Sequence, residues 1–366
     1  MKSVFKKLVL GLALIAISAA ILLYSDIDSR RASAGVQGNS GRPLKVAVVQ
    51  HSSIAALDDG IVGILDAMKR RGYVNGGRIT LRQYNAQGDI SVANAIAKDV
   101  TSGDYDLIIS VSTVTLQTIA NANKFATPPR RHVFGLVSDP YVIGVGISRE
   151  NHLNHPPYLT GVGSLAPVEE IFGLAKQLNP SLKKVGLVWD PSEGNSVVTT
   201  NLGRSVCAKL GLTLVEATAE SPTDIGDAVA AVISRKVDAI WVSPDQVAMR
   251  GMDVIQQKAR VAGIPVFSST PNADSKRLFD LGANYLELGR EIGGVAADVL
   301  DGRSPATIPV ENVMPVALHI NKLSLKGLRD HWEFPDSVAQ RADILVDDAG
   351  RHVKQTTDGG SSAGSR

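Results

Sequence analysis

Lys45-Val46-Ala47-Val48-Val49 is a short apolar run without polar alternation, the pattern of a strand buried on both faces. Gln50-His51-Ser52-Ser53 follow it, and then Ile61, Ile64, Leu65 and Met68 recur at the spacing of one helix face. Gly72 closes that helix. The unit is therefore strand, polar loop, amphipathic helix. It recurs at Ile79–Tyr84 with a helix from about Ser91, and at Leu107–Ser110 with a helix from about Thr113. His132–Val137 is the next strand.

A second series begins near Pro167. Its strands are Val185–Trp189, Thr213–Ala217, Ala239–Val242 and Pro265–Ser268, each preceded or followed by a helical pattern. Regular alternation with apolar strands predicts α/β architecture, with parallel sheets covered on both faces. Two series predict two similar lobes, with the boundary near Leu159–Ala166. Ala283–Leu286 followed by Glu287–Leu300 reads as one more strand–helix unit, returned to the first lobe. Ile308–Val310 and Ala317–Ile320 read as further crossings.

Lys2, Lys6 and Lys7 precede Leu8–Tyr24, seventeen residues without a charge. That is the layout of a signal peptide or a membrane anchor over residues 1–24, and the lysines at its start leave the rest of the chain outside the cytoplasm. Both outcomes stay open, since Ala32-Ser33-Ala34 offers a cleavage site but charged residues separate it from the apolar run. No cysteine follows the run to accept a lipid. Residues 25–43 read as a flexible linker rich in Ser, Gly, Arg and Asp.

The whole chain has 366 residues, a formal charge of +2 and 44% apolar residues, so it holds two ordinary domains and is not a polytopic membrane protein. No basic run supplies a nucleic-acid footprint. Cys207, the single cysteine, excludes an intrachain disulfide and a multi-cysteine metal site. The sequence has no Gly-x-Ser-x-Gly, Walker-type loop, His-Glu-x-x-His or Gly-x-Gly-x-x-Gly. We therefore expect no catalytic residues, no metal and no cofactor. A hydrolase built on His51, the one histidine in a strand-end loop, is the weakest reading.

In open parallel sheets ligands sit beyond the carboxyl ends of strands. The loops there are Ser110-Val111-Ser112-Thr113, Ser138-Asp139-Pro140, Asp190 to Ser196, Ser243-Pro244-Asp245 and Ser268-Ser269-Thr270. All carry hydroxyls or carboxylates. Each alone is explained by helix capping, but together on one pair of sheet edges they suit a small polar ligand, such as a zwitterion.

From about Lys45 to Val346 the chain resembles the ABC-transporter substrate-binding protein family that includes tryptophan- and tyrosine-binding members. The resemblance is carried by Leu57-Asp58, Gly72-Tyr73, Asn85-Ala86-Gln87-Gly88-Asp89, Thr113 with Gln117, and Ser138-Asp139-Pro140. It continues through Thr160-Gly161-Val162, Pro167-Val168-Glu169, Glu193-Gly194-Asn195-Ser196, Pro265-Val266-Phe267 and Tyr285-Leu286-Glu287-Leu288-Gly289. Ile54, Ala55, Val114 and Ser275–Leu281 depart from the family's pattern.

The resemblance implies a type I periplasmic-binding-protein fold: two Rossmann-like lobes joined by a multi-crossing hinge. With it, residues 44–162 and 284–312 form lobe 1, and 163–283 and 313–330 form lobe 2. Residues 331–347 are a C-terminal extension and 348–366 a disordered tail. It further implies a pocket drawing on Asp58, Ser112, Thr113, Asp139, Glu193, Asn195, Ser196, Asp245 and Ser268. Asp139 and Asp245 are the candidates for an ammonium group, and Ser112 and Thr113 for a carboxylate. Trp189 and Tyr285 offer aromatic faces unless they are core. The expected partner is an ABC permease receiving an amino acid or similar ligand. The alternative is a membrane signalling protein reading the closed form of a tethered sensor.

Overall fold

The computed structural model describes residues 42–272 and 274–354. The apolar segment 1–24 and almost all of the linker lie outside the described residues, as does the end of the tail. Among the described residues no helix is long and apolar enough to cross a membrane.

The first sheet has the order β11-β5-β4-β3-β1-β2 and is parallel throughout. Its strands are β1 (Leu44–Gln50), β2 (Ile79–Asn85), β3 (Leu107–Val111), β4 (His132–Val137), β5 (Leu159–Gly163) and β11 (Glu311–Asn312). Helices α1 (Ala55–Arg70), α2 (Ile90–Ser102) and α3 (Thr113–Asn123) connect them. Asp89 starts α2 by accepting the backbone N–H groups of Ser91 and Val92, satisfying donors that have no partner inside the helix. Val46, Val48, Leu107 and Ile109 are buried in one cluster with Ile61, Ile64 and Met68 of α1, so the helix-face spacing read in the sequence is the face that packs on the sheet.

The second sheet has the order β14-β13-β12-β10-β9-β8-β6-β7. It holds β6 (Lys184–Trp189), β7 (Thr213–Thr218), β8 (Ala239–Val242), β9 (Val266–Ser268), β10 (Phe279–Ala283), β12 (Val316–Asn321), β13 (Ile344–Asp347) and β14 (Gly350–Val353). Helices α4 (Val168–Leu178), α5 (Gly194–Lys209), α6 (Ile225–Ser234), α7 (Gln246–Arg250) and α8 (Met252–Val261) flank it. Phe172, Trp241, Phe267 and Phe279 form its aromatic centre, with Phe172 edge-on to Trp241 at 4.9 Å between ring centroids.

Three expectations are corrected. The strand near 283 is Phe279–Ala283, it belongs to the second sheet, and its helix α9 (Tyr285–Leu300) has already begun at Tyr285. A buried aspartate and a glycine interrupt this strand's apolar run, and Asp280 is tolerated because the Arg277 guanidinium pairs with it. The second sheet is not all parallel: β12 runs antiparallel to β10, and β14 to β13. Third, the tail is ordered past 348. Residues 344–353 form a hairpin on the edge of the second sheet, anchored where the Asp343 carboxylate accepts the Leu318 N–H at 2.8 Å.

The chain passes between the sheets three times: after β5, at Asn284 between β10 and α9, and between β11 and β12. These crossings are tied to one another. The Val313 N–H donates to Gly163 O at 2.9 Å and the Asn284 N–H to Pro315 O at 2.6 Å.

Helix α9 leaves a strand of the second sheet and packs along α1 of the first lobe. The two backbones touch: a Cβ on Gly289 would lie 2.1 Å from Gly60 O, and one on Gly63 would lie 2.1 Å from Leu286 O. Gly294, on the same helix, has nothing within 4 Å. We expect Gly289→Val to lower stability by about 2 kcal/mol or more through overpacking. Gly294→Ala should raise it by about 0.5–1 kcal/mol. Urea unfolding midpoints of the two variants check the pair, and equal effects would contradict this account of the helix contact.

Candidate functional site

The carboxyl ends of both sheets face a common cleft. A small cavity, partly continuous with solvent, lies there. The first lobe supplies the β1–α1 loop, the start of α3 and the ends of β4 and β5. The second supplies the β6–α5 and β8–α7 loops and the end of β9. Tyr285 enters from the first turn of α9.

The lobes meet across this cleft. Ser52 Oγ donates to Gln246 Oε1 at 2.7 Å. A Cβ on Gly194 would come within 3.4 Å of Thr113 Cγ2, and one on Gly88 would meet the Arg250 guanidinium at 2.3 Å. Gly88 has φ +82°, so this position admits the arginine and the turn only without a side chain.

One wall is apolar: Ile54, Leu57, Leu136, Met249 and the Tyr285 ring. The polar lining comes from Ser112, Thr113, Ser138, Asn195, Gln246 and Thr270. None of the lining side chains is charged. Two of the lining residues hold strained backbone. Ser112 has φ +109° and ψ 162°, a region occupied almost only by glycine. Leu136 has φ +54° where β4 loses register with β5.

The residues singled out in the sequence fall into three groups. Ser112, Thr113 and Asn195 line the cavity. Thr113 Oγ1 and Asn195 Oδ1 are buried without a hydrogen-bond partner, unusual for buried polar atoms. A second group lies directly behind the wall. Glu193 Oε2 accepts Asn195 Nδ2 and the Gln246 N–H, both at 3.1 Å. Asp245 accepts Ser196 Oγ at 2.6 Å and the N–H groups of Asp190 and Ala248 at 2.7 Å. Ser268 Oγ accepts the Thr270 N–H at 3.0 Å.

Asp58 and Asp139 form the third group, outside the lining. Asp58 is exposed on the first turn of α1, where it accepts Gln50 Nε2 at 3.1 Å. Asp139 is buried but pairs with Arg149 at 2.5 Å and accepts the Tyr141 N–H at 3.1 Å. Its charge is thus already compensated. Of the two aromatic candidates, Tyr285 lines the cavity, whereas Trp189 packs on the second-lobe core beneath Arg204.

Electrostatics set the second-lobe wall. Burial pushes the Glu193 carboxyl up to about 8, and the neighbouring Asp245 charge adds to the rise. Burial also raises Asp245, while the three hydrogen bonds donated to it favour its charged form. Burial thus drives Glu193 toward the neutral form, and Asp245 is the better place for the negative charge. Among the described residues no group of three or more His, Cys, Asp or Glu side chains is placed to hold a metal ion.

Sequence reasoning missed Gln246, Thr270, Ser138 and Ser164 as lining residues, although three of them stand in the quoted loops or next to them. Leu136 and Met249 carried no signal, because an apolar residue facing a ligand is indistinguishable in sequence from one facing the core.

Comparison with known proteins gives a consistent picture. The chain is 28% identical over 282 residues to the Tyrosine-binding protein of Clostridioides difficile (strain R20291), covering 77% of this chain and 79% of that one. An ABC domain in complex with L-Trp from Streptococcus pneumonia superposes with a TM-score of 0.76 at 25% identity, over 83% of this chain and all of that one. A ligand-free, open substrate binding protein with adhesive properties from Clostridium difficile, also 25% identical, superposes with a TM-score of 0.60 over 82% and 98%. With residues 45–345 matching the family described as ABC transporter substrate binding protein, this chain belongs to that family.

Proposed function

We propose that this chain is the extracytoplasmic solute-binding component of an ABC-type importer, and that it closes on an aromatic amino acid in the interlobe cleft. The observation that carries the reading is an uncharged cavity lined by both lobes, at the carboxyl ends of both sheets and beside the Ser52–Gln246 hydrogen bond that joins them. The ligand's carboxylate fits at the start of α3, where backbone N–H groups and the unpartnered Thr113 Oγ1 converge. Its ammonium fits at the unpartnered acceptor Asn195 Oδ1. The apolar wall of Leu57, Leu136, Met249 and Tyr285 suits a large flat side chain.

Two comparisons support closure and ligand class. At equal identity the chain superposes better on the L-Trp complex than on the open, ligand-free relative, as a closed arrangement would. The curated relative is named for tyrosine binding. The lysines and apolar run at residues 2–24 support delivery across a membrane. Closure places surfaces of both lobes side by side, which is what a permease partner reads in this mode of transport.

Two outcomes are expected. After refolding from denaturant to strip carried ligand, L-tryptophan or L-tyrosine at about 100 times its dissociation constant should stabilise the full chain by about 2.7 kcal/mol, a shift of several degrees in its unfolding midpoint. No shift with either would overturn the aromatic amino-acid reading. Ser112→Gly should separate stability from binding. Relief of the strained backbone should raise the stability of the ligand-free chain by about 1 kcal/mol, while loss of the hydroxyl and of local rigidity weakens binding. Thermal unfolding and calorimetric titration of the variant check the two halves.

A further inference from the structure

Resting on the reading of the cleft given above, we propose that Glu193 sets the hydrogen-bonding polarity of the second-lobe wall and releases its proton to solvent when a ligand ammonium reaches Asn195. Glu193 is a positioning residue, since it lies behind the cavity and does not line it.

The geometry gives Glu193 two holds on the wall. Its Oε2 accepts Asn195 Nδ2, which also donates to Pro244 O at 2.7 Å. With both bonds made by the nitrogen, the amide can present only Oδ1 to a ligand, and Oδ1 is the atom left without a partner in a side chain 6% exposed. The same Oε2 accepts the backbone N–H of Gln246. The Gln246 side chain accepts Ser52 Oγ from the other lobe, which leaves its Nε2 as the donor end. One buried carboxyl thus fixes an acceptor at Asn195 and anchors the residue that bridges the lobes.

The charge balance follows from the neighbours. The charged groups acting on Glu193 are Asp245 at the start of α7 and Asp190 at the end of β6, both acidic. Across the cleft α3 presents Thr113 and Gln117 to Gly194, neither of which titrates near neutrality. No lining side chain carries a charge to meet an ammonium. A cation arriving at Asn195 Oδ1 is therefore answered one layer back, and its field favours the carboxylate form of Glu193. Below about pH 8, where burial keeps the carboxyl protonated, each bound ammonium expels up to one proton. Affinity then rises with pH in that range, by at most tenfold per unit.

The test is calorimetric titration of the full chain with L-tryptophan, L-tyrosine and indole-3-propionate at pH 7, in buffers of different ionisation enthalpy. The expected result is release of a substantial fraction of one proton with the amino acid that binds, and none with the propionate. Glu193→Gln keeps an acceptor for Asn195 and Gln246, so it should bind the amino acid without proton release and with an affinity that no longer varies between pH 6 and 8. Glu193→Leu removes the acceptor and should weaken binding by about tenfold or more. Binding with the same enthalpy in every buffer, or release that persists in Glu193→Gln, would overturn the role of Glu193 and leave the cleft assignment standing. Failure of all three probes to bind would overturn the cleft assignment, and this inference with it.

Discussion

The contact between α1 and α9 is the constraint on which the rest of the molecule depends. Helix α9 begins one residue after a strand of the second sheet and lies along a helix of the first lobe. The depth at which the two backbones meet fixes how α9, which continues from strand β10 of the second sheet, seats on the first lobe. Gly60, Gly63, Gly289 and Gly293 set that depth by bringing main chain against main chain. The same two helices carry Leu57 and Tyr285 into the cavity at their N-terminal ends. The helix contact and one wall of the cavity thus share the same two elements.

Within the cleft, charge is kept out of the cavity lining. Asp139 is neutralised by Arg149, Asp245 is occupied by three donors, and burial drives Glu193 toward its neutral form behind Asn195. Bringing a formal charge into the wall would impose a desolvation cost on the empty cavity. Neutral amides and hydroxyls impose less and still orient a ligand. Of the two acidic residues that looked like direct ammonium partners in the sequence, Asp245 lies behind the second-lobe wall and Asp139 is paired with Arg149 outside the lining.

That difference marks the limit of what the sequence made legible. The strand–helix alternation read from Lys45–Val49 onward recovers eight parallel strands but not β5 (Leu159–Gly163), a fully buried strand that the sequence reading took only as the boundary between lobes. It failed at Phe279–Ala283, where a buried Arg277–Asp280 pair and a glycine break the run, and at the 344–353 hairpin, whose outer strand is exposed and has no apolar face to detect. For the site, rules about strand ends pointed to loops whose residues line the cavity. They did not separate Asn195, which lines the cavity, from Glu193 two positions earlier. Both are buried, and which one faces the ligand depends on a helix start that puts Glu193 in the capping position.

The lobes make few direct contacts with one another across the cleft, which bears on what the proposed closure would require. Across the cleft mouth the described contacts are one side-chain hydrogen bond, Ser52 to Gln246, and two close approaches at Gly88 and Gly194. A hydrogen bond of this kind contributes about 1 kcal/mol net. Driving a two-state hinge from mostly open to mostly closed takes about 5.5 kcal/mol of differential affinity. The lobe contacts alone fall short of that, so a ligand touching both walls must supply most of the difference. The crossings themselves do not resist: Val313 to Gly163 and Asn284 to Pro315 tie the three hinge strands to one another, not lobe to lobe.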